Sequence, residues 1–190
     1  QNLSGTADRG SMVLLAGEDH QSKSSVSPGT SDGVLRSCMV PIFYPSTVSE
    51  VIELGRHAVA LSRHAGIVTA LKLVTPVCDG ASTVDLDSVR PQIHLPERPY
   101  EKSFNRIVMA TRALPMQRQL VEQRLPLAEA YIRKNGLNRI VDADVGGSIG
   151  IIATGKSYVD VRQALDYIGA RVPVLHLRVS YPLDAEIVQH

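Results

Sequence analysis

Apolar and polar segments alternate along the first half of the chain in lengths typical of strands and helices. Three apolar runs predict strands, at 12–16, 38–42 and 67–74. Between the last two, apolar positions recur at helical spacing from 48 to 61 and predict an amphipathic helix. Thr47 and Glu50 form a capping box at its start, and Gly66 suits a left-handed cap at its end. This strand–helix–strand order predicts α/β architecture.

A second set of elements follows a proline-rich stretch. Prolines between 75 and 112 prevent long regular elements, so that we expect only a short strand at 92–95. Beyond it the pattern predicts a helix at 120–134, a strand at 149–153, a helix at 158–169, a strand at 172–179 and a helix that begins at 183. The sequence thus predicts two three-layer α/β domains with mainly parallel sheets, both incomplete, in residues 1–90 and 113–190, joined by a crossing segment at 91–112.

Composition and charge narrow the classes of function. The chain has 190 residues, a net charge of +1 and 4% aromatic residues, which gives no broad electrostatic case for binding nucleic acid or an anionic membrane. No apolar run approaches the ~20 residues that span a bilayer. Cys38 and Cys78 have no CxxC partner, which excludes a cysteine-held cluster or zinc site within this chain. Two free thiols favour a reducing cytoplasm as the compartment.

The strongest candidate for chemistry is the polar run 17–25, Gly-Glu-Asp-His-Gln-Ser-Lys-Ser-Ser, which follows the first apolar run. Ligands of open α/β sheets collect at the carboxyl ends of strands. Asp19 and His20 at such an end form a candidate proton-transfer pair. Lys23, Ser24 and Ser25 are candidate ligands for a carboxylate or phosphate. A solvated turn without a specific role is the alternative reading of the same residues.

Residues 150–157, Gly-Ile-Ile-Ala-Thr-Gly-Lys-Ser, match the phosphate-loop pattern GxxxxGK[ST] formally. In a true phosphate loop the residues between the glycines form the loop itself, whereas here they continue an apolar strand. We therefore predict a tight strand-to-helix turn at Thr154–Gly155, with Ser157 as the helix cap.

Basic side chains also recur along the predicted helix in the first half. Arg56 and Arg63, and His57 and His64, are seven residues apart and share a face, which is typical of a solvated stripe and less often of a docking surface. The remaining histidines have no metal-ligand spacing, namely His94, His176 and His190.

Several motifs, in order along the chain, resemble the indolepyruvate ferredoxin oxidoreductases, which are thiamine-diphosphate-dependent 2-oxoacid:ferredoxin oxidoreductases. Residues 13–20 with 23–25, Val-Leu-Leu-Ala-Gly-Glu-Asp-His and Lys-Ser-Ser, resemble the family pattern VLALAGDDH followed by KSS. Residues 40–50 and 60–72 resemble its next two motifs, IPVLNPAxVQE and ALSRxSGxWVALK. Residues 150–165, GIIATGKSYVDVRQAL, are close to its GIVTTGKSYLDVRQAL. The last match also explains the formal phosphate-loop pattern.

The resemblance implies a placement and an activity. Residues 1–90 would be the later part of a thiamine pyrimidine-binding domain, and residues 113–190 the start of a transketolase C-terminal-like domain. Complete family enzymes decarboxylate an aryl 2-oxoacid on thiamine diphosphate with Mg, pass electrons through iron–sulfur clusters to ferredoxin and release an acyl-coenzyme A. Lys23, Ser24 and Ser25 would bind the substrate carboxylate, and His20 with Asp19 would assist proton transfer.

The chain also departs from the family pattern. The magnesium–diphosphate motif, the cysteine-rich cluster motifs and the activating glutamate lie outside it, so that this chain alone is expected to hold no cofactor and to be inactive. Glu18 replaces an aspartate, and a histidine of the family is missing from 26–33. Two alternatives therefore stay open, a non-catalytic assembly module and a small anion-binding module. We expect association with itself or with a partner subunit.

Overall fold

The computed structural model describes residues 2–146 and 148–189. Its strands are β1 (Val13–Glu18), β2 (Ile42–Phe43), β3 (Thr69–Val74), β4 (Arg139–Val141), β5 (Ile151–Thr154), β6 (Val174–Leu177) and β7 (Val179–Tyr181). Its α-helices are α1 (Asp32–Ser37), α2 (Val48–Ala65), α3 (Thr75–Cys78), α4 (Ala110–Gln119), α5 (Leu125–Lys134), α6 (Lys156–Ile168) and α7 (Ala185–Gln189). The predicted α/β class is confirmed.

The strands form two mixed sheets. The first sheet has the order β1-β3-β2-β7, in which β1, β3 and β2 are parallel and β7 is antiparallel. The second sheet has the order β4-β6-β5, in which β5 and β6 are parallel and β4 is antiparallel. β1 therefore forms one edge of the first sheet, where Leu15 is 70% exposed.

The predicted caps of α2 appear in the structure, whereas Ile52 and Val59 of its predicted apolar face are exposed. The hydroxyl of Thr47 accepts a hydrogen bond from the backbone N–H of Glu50 at 3.3 Å, and the carboxylate of Glu50 accepts from the backbone N–H of Ser46 at 2.8 Å. Gly66 caps the other end with φ of 66°. These interactions satisfy backbone groups that have no partner within the helix.

The largest core lies between the first sheet, α2 and α5. Its fully buried members include Phe43, Leu54, Leu61, Leu120 and Tyr131. α5 thus packs on α2 although the prolines of 91–112 separate the two helices in sequence. The division into domains at 91–112 stays a prediction.

The chain passes from the second sheet to the first within one apolar run, which the sequence predicted as a single strand at 172–179. β6 ends at Leu177 and β7 begins at Val179 in the other sheet. Asn138 satisfies the backbone at the crossing: its Oδ1 accepts from the N–H groups of Arg178 and Val179, both at 2.9 Å. The guanidinium of Arg178 is buried and pairs with carboxylates of α2, at 3.1 Å from Glu50 and also with Glu53.

Other elements differ from the sequence predictions. Residues 92–95 form no strand, because the surrounding prolines leave an extended loop. The predicted helix at 120–134 begins earlier, at Ala110, and includes a π-helical segment at Leu120–Arg124. The predicted loop at 22–36 contains the start of α1, which shortens the strand predicted at 38–42 to Ile42–Phe43.

Candidate functional site

The parallel strands of the first sheet bring three chain segments together at their carboxyl ends. Glu18 is the last residue of β1 and pairs in register with Val74, the last residue of β3. Tyr44 follows the last residue of β2. Ligands collect at the carboxyl ends of the strands in an α/β sheet. The polar run 17–25 therefore lies where the sequence predicted it.

A cluster of charged side chains lies at the carboxyl ends of these strands. The ammonium of Lys72, whose side chain is 4% exposed, lies 3.0 Å from Oε2 of Glu18, whose side chain is 2% exposed. Lys72 also pairs with Asp32 at the start of α1. Glu18 Oε1 accepts hydrogen bonds from the backbone N–H and the hydroxyl of Ser31. Both Lys72 and Glu18 therefore have partners that compensate for the loss of water.

The surroundings keep this cluster ionised. Burial acts to raise the pKa of Glu18, but the hydrogen bonds from Ser31 and the ammonium of Lys72 outweigh it, and its pKa is lowered. The pKa of Asp32 is lowered in the same way, since burial is outweighed by its bond from Lys72. Burial acts to lower the pKa of Lys72, but its bonds to Asp32 and Glu18 raise it overall.

His20 connects the cluster to the solvent. Its Nδ1 lies 3.5 Å from Oε2 of Glu18, and its Nε2 lies 3.1 Å from the hydroxyl of Tyr44. Its side chain is 41% exposed. The ring of Tyr44 is buried, and Lys72 Nζ lies 4.5 Å from the ring centroid. The imidazole is thus held between a carboxylate and a phenol, with one face open to a ligand.

Asp19 organises the turn that follows. Its carboxylate accepts hydrogen bonds from the backbone N–H of Lys23 at 3.0 Å, from that of Ser24 at 2.6 Å and from the hydroxyl of Ser25 at 3.1 Å. The bond from Ser24 is the largest cause that lowers the pKa of Asp19. The carboxylate that lies beside His20 is that of Glu18. Of the predicted site residues, Asp19, Lys23, Ser24 and Ser25 therefore form one turn.

A cavity of about 100 Å³ opens beside His20. Its polar lining includes Asp19, His20, Lys23, Tyr44, Lys156 and Ser157. The last two residues begin α6, so that both sheets contribute to its wall. Lys156 pairs with Asp160 one turn later. Two lysines and an imidazole line this space together with the carboxylates of Asp19 and Asp160, and the ammonium of Lys156 is paired with Asp160. Lys23 is therefore the candidate in this lining for binding a small anionic ligand.

Larger cavities lie elsewhere and have fewer charged side chains in their walls. One of about 510 Å³ borders the second sheet and is lined mostly by apolar side chains such as Ile140, Ile152 and Leu175. Another of about 450 Å³ lies on α4 and the π-helical segment, beside Leu114 and Arg118. Neither gathers the buried ionised groups found beside the smaller cavity.

The phosphate-loop match resolves as predicted. Residues 151–154 form β5 and Gly155 begins the turn into α6, so the residues between the glycines do not form a loop. The predicted cap was wrong, since the cap position is Gly155 and Ser157 lies inside the helix. β5 begins at Ile151, directly after Gly150. Of the two glycines of the pattern, Gly155 is therefore the one in the turn between β5 and α6.

The basic stripe on α2 is only partly exposed. Arg56 and Arg63 are exposed as predicted. His57 is buried, with Nδ1 2.9 Å from the hydroxyl of Tyr131, and burial lowers its pKa to about 4. His64 Nε2 donates to the backbone oxygen of Pro96, 2.9 Å away. The interpretation of His57 as solvated was wrong because α5 covers that side of the helix.

The isolated histidines have different surroundings. His176 is fully buried in β6 and stacks on Tyr158 at 3.5 Å between ring centroids. His94 is exposed, and His190 lies outside the described residues. Within residues 2–146 and 148–189, no group of three His, Cys, Asp or Glu side chains could hold a metal ion. No helix in that part of the chain is long and apolar enough to cross a membrane.

Sequence reasoning missed Lys72, Tyr44 and Asp32. Lys72 is the one charged residue in an otherwise apolar run at 67–74, and its burial there required a carboxylate partner at the same end of the sheet. That signal was readable. Tyr44 and Asp32 carried no comparable signal, because their role depends on how α1 and β2 pack.

Comparison with known proteins identifies what the chain resembles. No family model matches it. It is 30% identical over 188 residues to the indolepyruvate oxidoreductase subunit IorA of Methanothermobacter marburgensis, a match over 96% of this chain and 29% of that protein. The subunits of the same name from Methanothermobacter thermautotrophicus and Archaeoglobus fulgidus are 30% and 24% identical, over 97% and 96% of this chain. The chain spans less than a third of these relatives, and the resemblance seen in its motifs is confirmed.

Proposed function

We propose that this chain, which is similar over nearly its whole length to part of the IorA subunits, forms part of an indolepyruvate-type 2-oxoacid:ferredoxin oxidoreductase. The observation that carries the proposal is this similarity over 96% of the chain. In the proposed reaction an aryl 2-oxoacid loses carbon dioxide, its acyl group passes to coenzyme A, and the electron pair released reduces ferredoxin.

The cavity beside His20 is the proposed contact with the 2-oxoacid. Lys23 supplies an ammonium that would bind the substrate carboxylate. Ser24 and Ser25 lie in the same turn but do not line the cavity, and the hydroxyl of Ser25 donates to Asp19. Lys156 on α6 lines the same cavity, where its ammonium pairs with Asp160. A carboxylate bound to Lys23 would lie in the cavity that His20 also lines.

His20 is the proposed proton carrier, with Glu18 in place of Asp19 as its carboxylate partner. Glu18 Oε2 lies 3.5 Å from Nδ1, so its charge favours a proton on that nitrogen. Asp19 contributes indirectly, since its carboxylate holds the backbone of Lys23 and Ser24. Lys72 keeps Glu18 ionised and fixed.

The cofactors of such an enzyme are proposed to bind mainly outside this chain. The charged cavity measures about 100 Å³, and the described residues offer no carboxylate or histidine group for Mg²⁺. We propose that thiamine diphosphate, its Mg²⁺ and the iron–sulfur clusters are held by residues outside this chain. Thiamine diphosphate supplies the electron sink for decarboxylation. The relatives are named as subunits, which supports a partner subunit, and we place the enzyme in the cytoplasm.

Assembly is the second candidate function. β1 is a sheet edge with an exposed leucine, and Arg56 and Arg63 are exposed on α2. An uncovered edge can pair with another chain. This role is compatible with catalysis by the assembled enzyme, and on its own it requires no ligand in the cavity.

A chimaera tests the proposed function. The matched segment of the M. marburgensis subunit would be replaced by this chain, and the purified enzyme assayed for aryl 2-oxoacid-dependent reduction of an artificial electron acceptor. We expect activity above that of a chimaera carrying Lys23→Ala and His20→Gln. A folded chimaera without activity, beside an active parent enzyme, would exclude the proposal. Calorimetric titration of this chain with thiamine diphosphate, Mg²⁺ and an aryl 2-oxoacid tests separately whether it binds ligand alone.

A further inference from the structure

The first turn of α6 is packed against the ring of Tyr44. Gly155 has φ of +51°, and a Cβ added there would lie 2.3 Å from Cε2 and 2.4 Å from Cζ of Tyr44. No side chain fits at that distance, so that the Tyr44 ring holds its position only because residue 155 is glycine. Besides Lys156 and Ser157 in the cavity wall, α6 therefore reaches the candidate site by this close approach, at the residue that bonds His20.

Tyr44 is constrained on its other sides as well. Its side chain is buried, the ammonium of Lys72 lies 4.5 Å from its ring centroid, and its hydroxyl lies 3.1 Å from Nε2 of His20. Burial raises the pKa of the phenol, which keeps it protonated and able to donate. The ring has little freedom to move without shifting His20.

Glu18 and Tyr44 act on His20 in different ways. The negative charge of Glu18 Oε2, 3.5 Å from Nδ1, favours the neutral form that carries its proton on Nδ1. Nε2 is then the acceptor and receives the hydroxyl proton of Tyr44. A histidine in water favours the opposite neutral form, with the proton on Nε2. Glu18 thus selects the Nδ1–H form, and the bond from Tyr44 holds the ring so that Nδ1 faces Glu18.

We propose that Tyr44 is a positioning residue that holds His20 as the Nδ1–H tautomer with Nε2 directed at the cavity edge, and that Gly155 sets the place of Tyr44. A displacement of α6 then changes the tautomer of His20 through this contact. The catalytic relevance rests on the proposed function, whereas the tautomer itself can be measured without any activity.

The direct test is nitrogen NMR of the imidazole of His20 in this 190-residue chain, at a pH where the ring is neutral, with the signal assigned from a His20→Gln spectrum. We expect Nδ1–H to predominate in the unaltered chain. Tyr44→Phe should lower the ratio of Nδ1–H to Nε2–H about fivefold, the effect of one ordinary hydrogen bond. Tyr131→Phe is the matched control, because its hydroxyl bonds His57 and should leave His20 unchanged.

Gly155→Ala tests the contact from α6. We expect the same tautomer change as in Tyr44→Phe, because the added methyl group displaces the ring. Gly169→Ala is the matched control: it lies at the other end of α6, has φ of +65° and has no atom within 4 Å of an added Cβ. It places alanine at a positive φ without the collision, although its ψ of 25° is left-handed helical and that of Gly155 is −141°. If Gly155→Ala does not fold, Tyr44→Phe still decides the role of Tyr44.

Retention of the Nδ1–H form in folded Tyr44→Phe would overturn the proposal, as would an unaltered chain in which Nε2–H predominates. A tautomer change in Gly169→Ala equal to that in Gly155→Ala would overturn the part played by Gly155. In an active chimaera, Tyr44→Phe should reduce kcat about 10-fold with unchanged KM. An inactive chimaera would contradict the proposed function and leave the NMR result intact.

Discussion

The ammonium of Lys72 lies 3.0 Å from the carboxylate of Glu18 although both side chains are almost completely buried. Both charges are shielded from solvent and depend on neighbouring groups, with Asp32 as a second partner of Lys72 and Ser31 as a donor to Glu18. Glu18 ends β1 and Lys72 lies in β3, and their pairing therefore joins two parallel strands at the edge that carries His20.

Removal of Lys72 should destabilise the fold. Lys72→Met leaves Glu18 and Asp32 without their shared cation, and we expect a loss of about 3 kcal/mol in the free energy of unfolding, measured by urea denaturation. Lys156→Met is the control, since Lys156 and Asp160 are 37% and 57% exposed and such pairs contribute about 0–1 kcal/mol. Equal losses in the two variants would contradict the dependence on burial.

Lowering the pH should reduce the free energy of unfolding, because protonation of two buried histidines favours the unfolded chain. Burial is the largest cause that lowers the pKa of His176 to about 4, and that of His57 likewise. The unfolded chain takes up these protons near 6.5, so the stability they contribute is complete above that pH and is lost as the pH falls towards 4. Each histidine accounts for about 3 kcal/mol at most.

His176→Phe isolates one of these groups. Phenylalanine keeps an aromatic ring against Tyr158 but cannot take up a proton, and both nitrogens of His176 lack a hydrogen-bond partner. We expect the fall in stability between about pH 7 and pH 4 to shrink by about half. His94→Gln, which replaces an exposed histidine, is the control for the loss of an imidazole. An unchanged acid profile in His176→Phe would show that this imidazole titrates normally.

Arg124 holds the loops around the π-helical segment. It is fully buried, and its guanidinium donates to the backbone oxygens of Gly66 at 3.2 Å and Ser103 at 3.3 Å and to Gln119 Oε1 at 2.7 Å. Arg124→Met leaves these acceptors without a donor, and we expect a loss of about 3 kcal/mol in urea denaturation.

The control for Arg124 is Arg118→Met in the same helical stretch. Arg118 is 77% exposed and lies 3.8 Å from Glu122, so its loss should change stability by less than about 0.5 kcal/mol. Limited proteolysis adds a second measurement: cleavage between residues 2 and 12 should accelerate in Arg124→Met only, because Leu3 O also accepts from the guanidinium. If Arg124→Met and Arg118→Met were digested at similar rates, Arg124 would not hold residues 2–12 in place.

Lys23 should determine the affinity for the 2-oxoacid. In the active chimaera, Lys23→Ala is expected to raise KM about 10- to 100-fold, the loss of one charged hydrogen bond, with little change in kcat. Steady-state kinetics measure both constants. Lys134→Ala is the control, since that ammonium bonds Leu95 O elsewhere on the surface. If Lys23→Ala left KM unchanged, the substrate carboxylate would not bind at this turn.

Self-association should depend on the edge strand. Leu15 on β1 is 70% exposed, and a lysine at this position places a charge on the open edge, which disfavours pairing with another chain. We expect Leu15→Lys to shift the chain towards monomer in sedimentation velocity. Val34→Lys replaces a side chain 66% exposed on α1 and should not do so. A chain that is monomeric at every concentration before substitution would contradict the expectation.

The sequence predicted elements whose signals are local. α2 follows from Thr47, Glu50 and Gly66, which cap it through contacts a few residues apart. The polar run 17–25 was placed at a strand end because it follows an apolar run, although β1 continues two residues beyond the predicted end, to Glu18. The turn at Gly155 was predicted for the same reason.

Other features depend on contacts between distant segments. One apolar run, 172–179, looked like one strand, and only Asn138 and the carboxylates of α2 divide it at Arg178. The partner of His20 was predicted as Asp19 from adjacency in sequence. Alternation along β1 turns the side chain of Glu18 towards Lys72 and the imidazole, while Asp19 enters the turn.

The change of sheet at Arg178 sets an order for synthesis on the ribosome. β7 supplies the fourth strand of the first sheet, yet it is joined directly to the central strand of the second. While the chain grows, β2 has an open side until residues 179–181 have emerged, by which time β4, β5 and α6 are already outside the tunnel. The first sheet cannot close before the second has been translated, so an early N-terminal intermediate would expose the edge of β2 to chaperones or to neighbouring nascent chains.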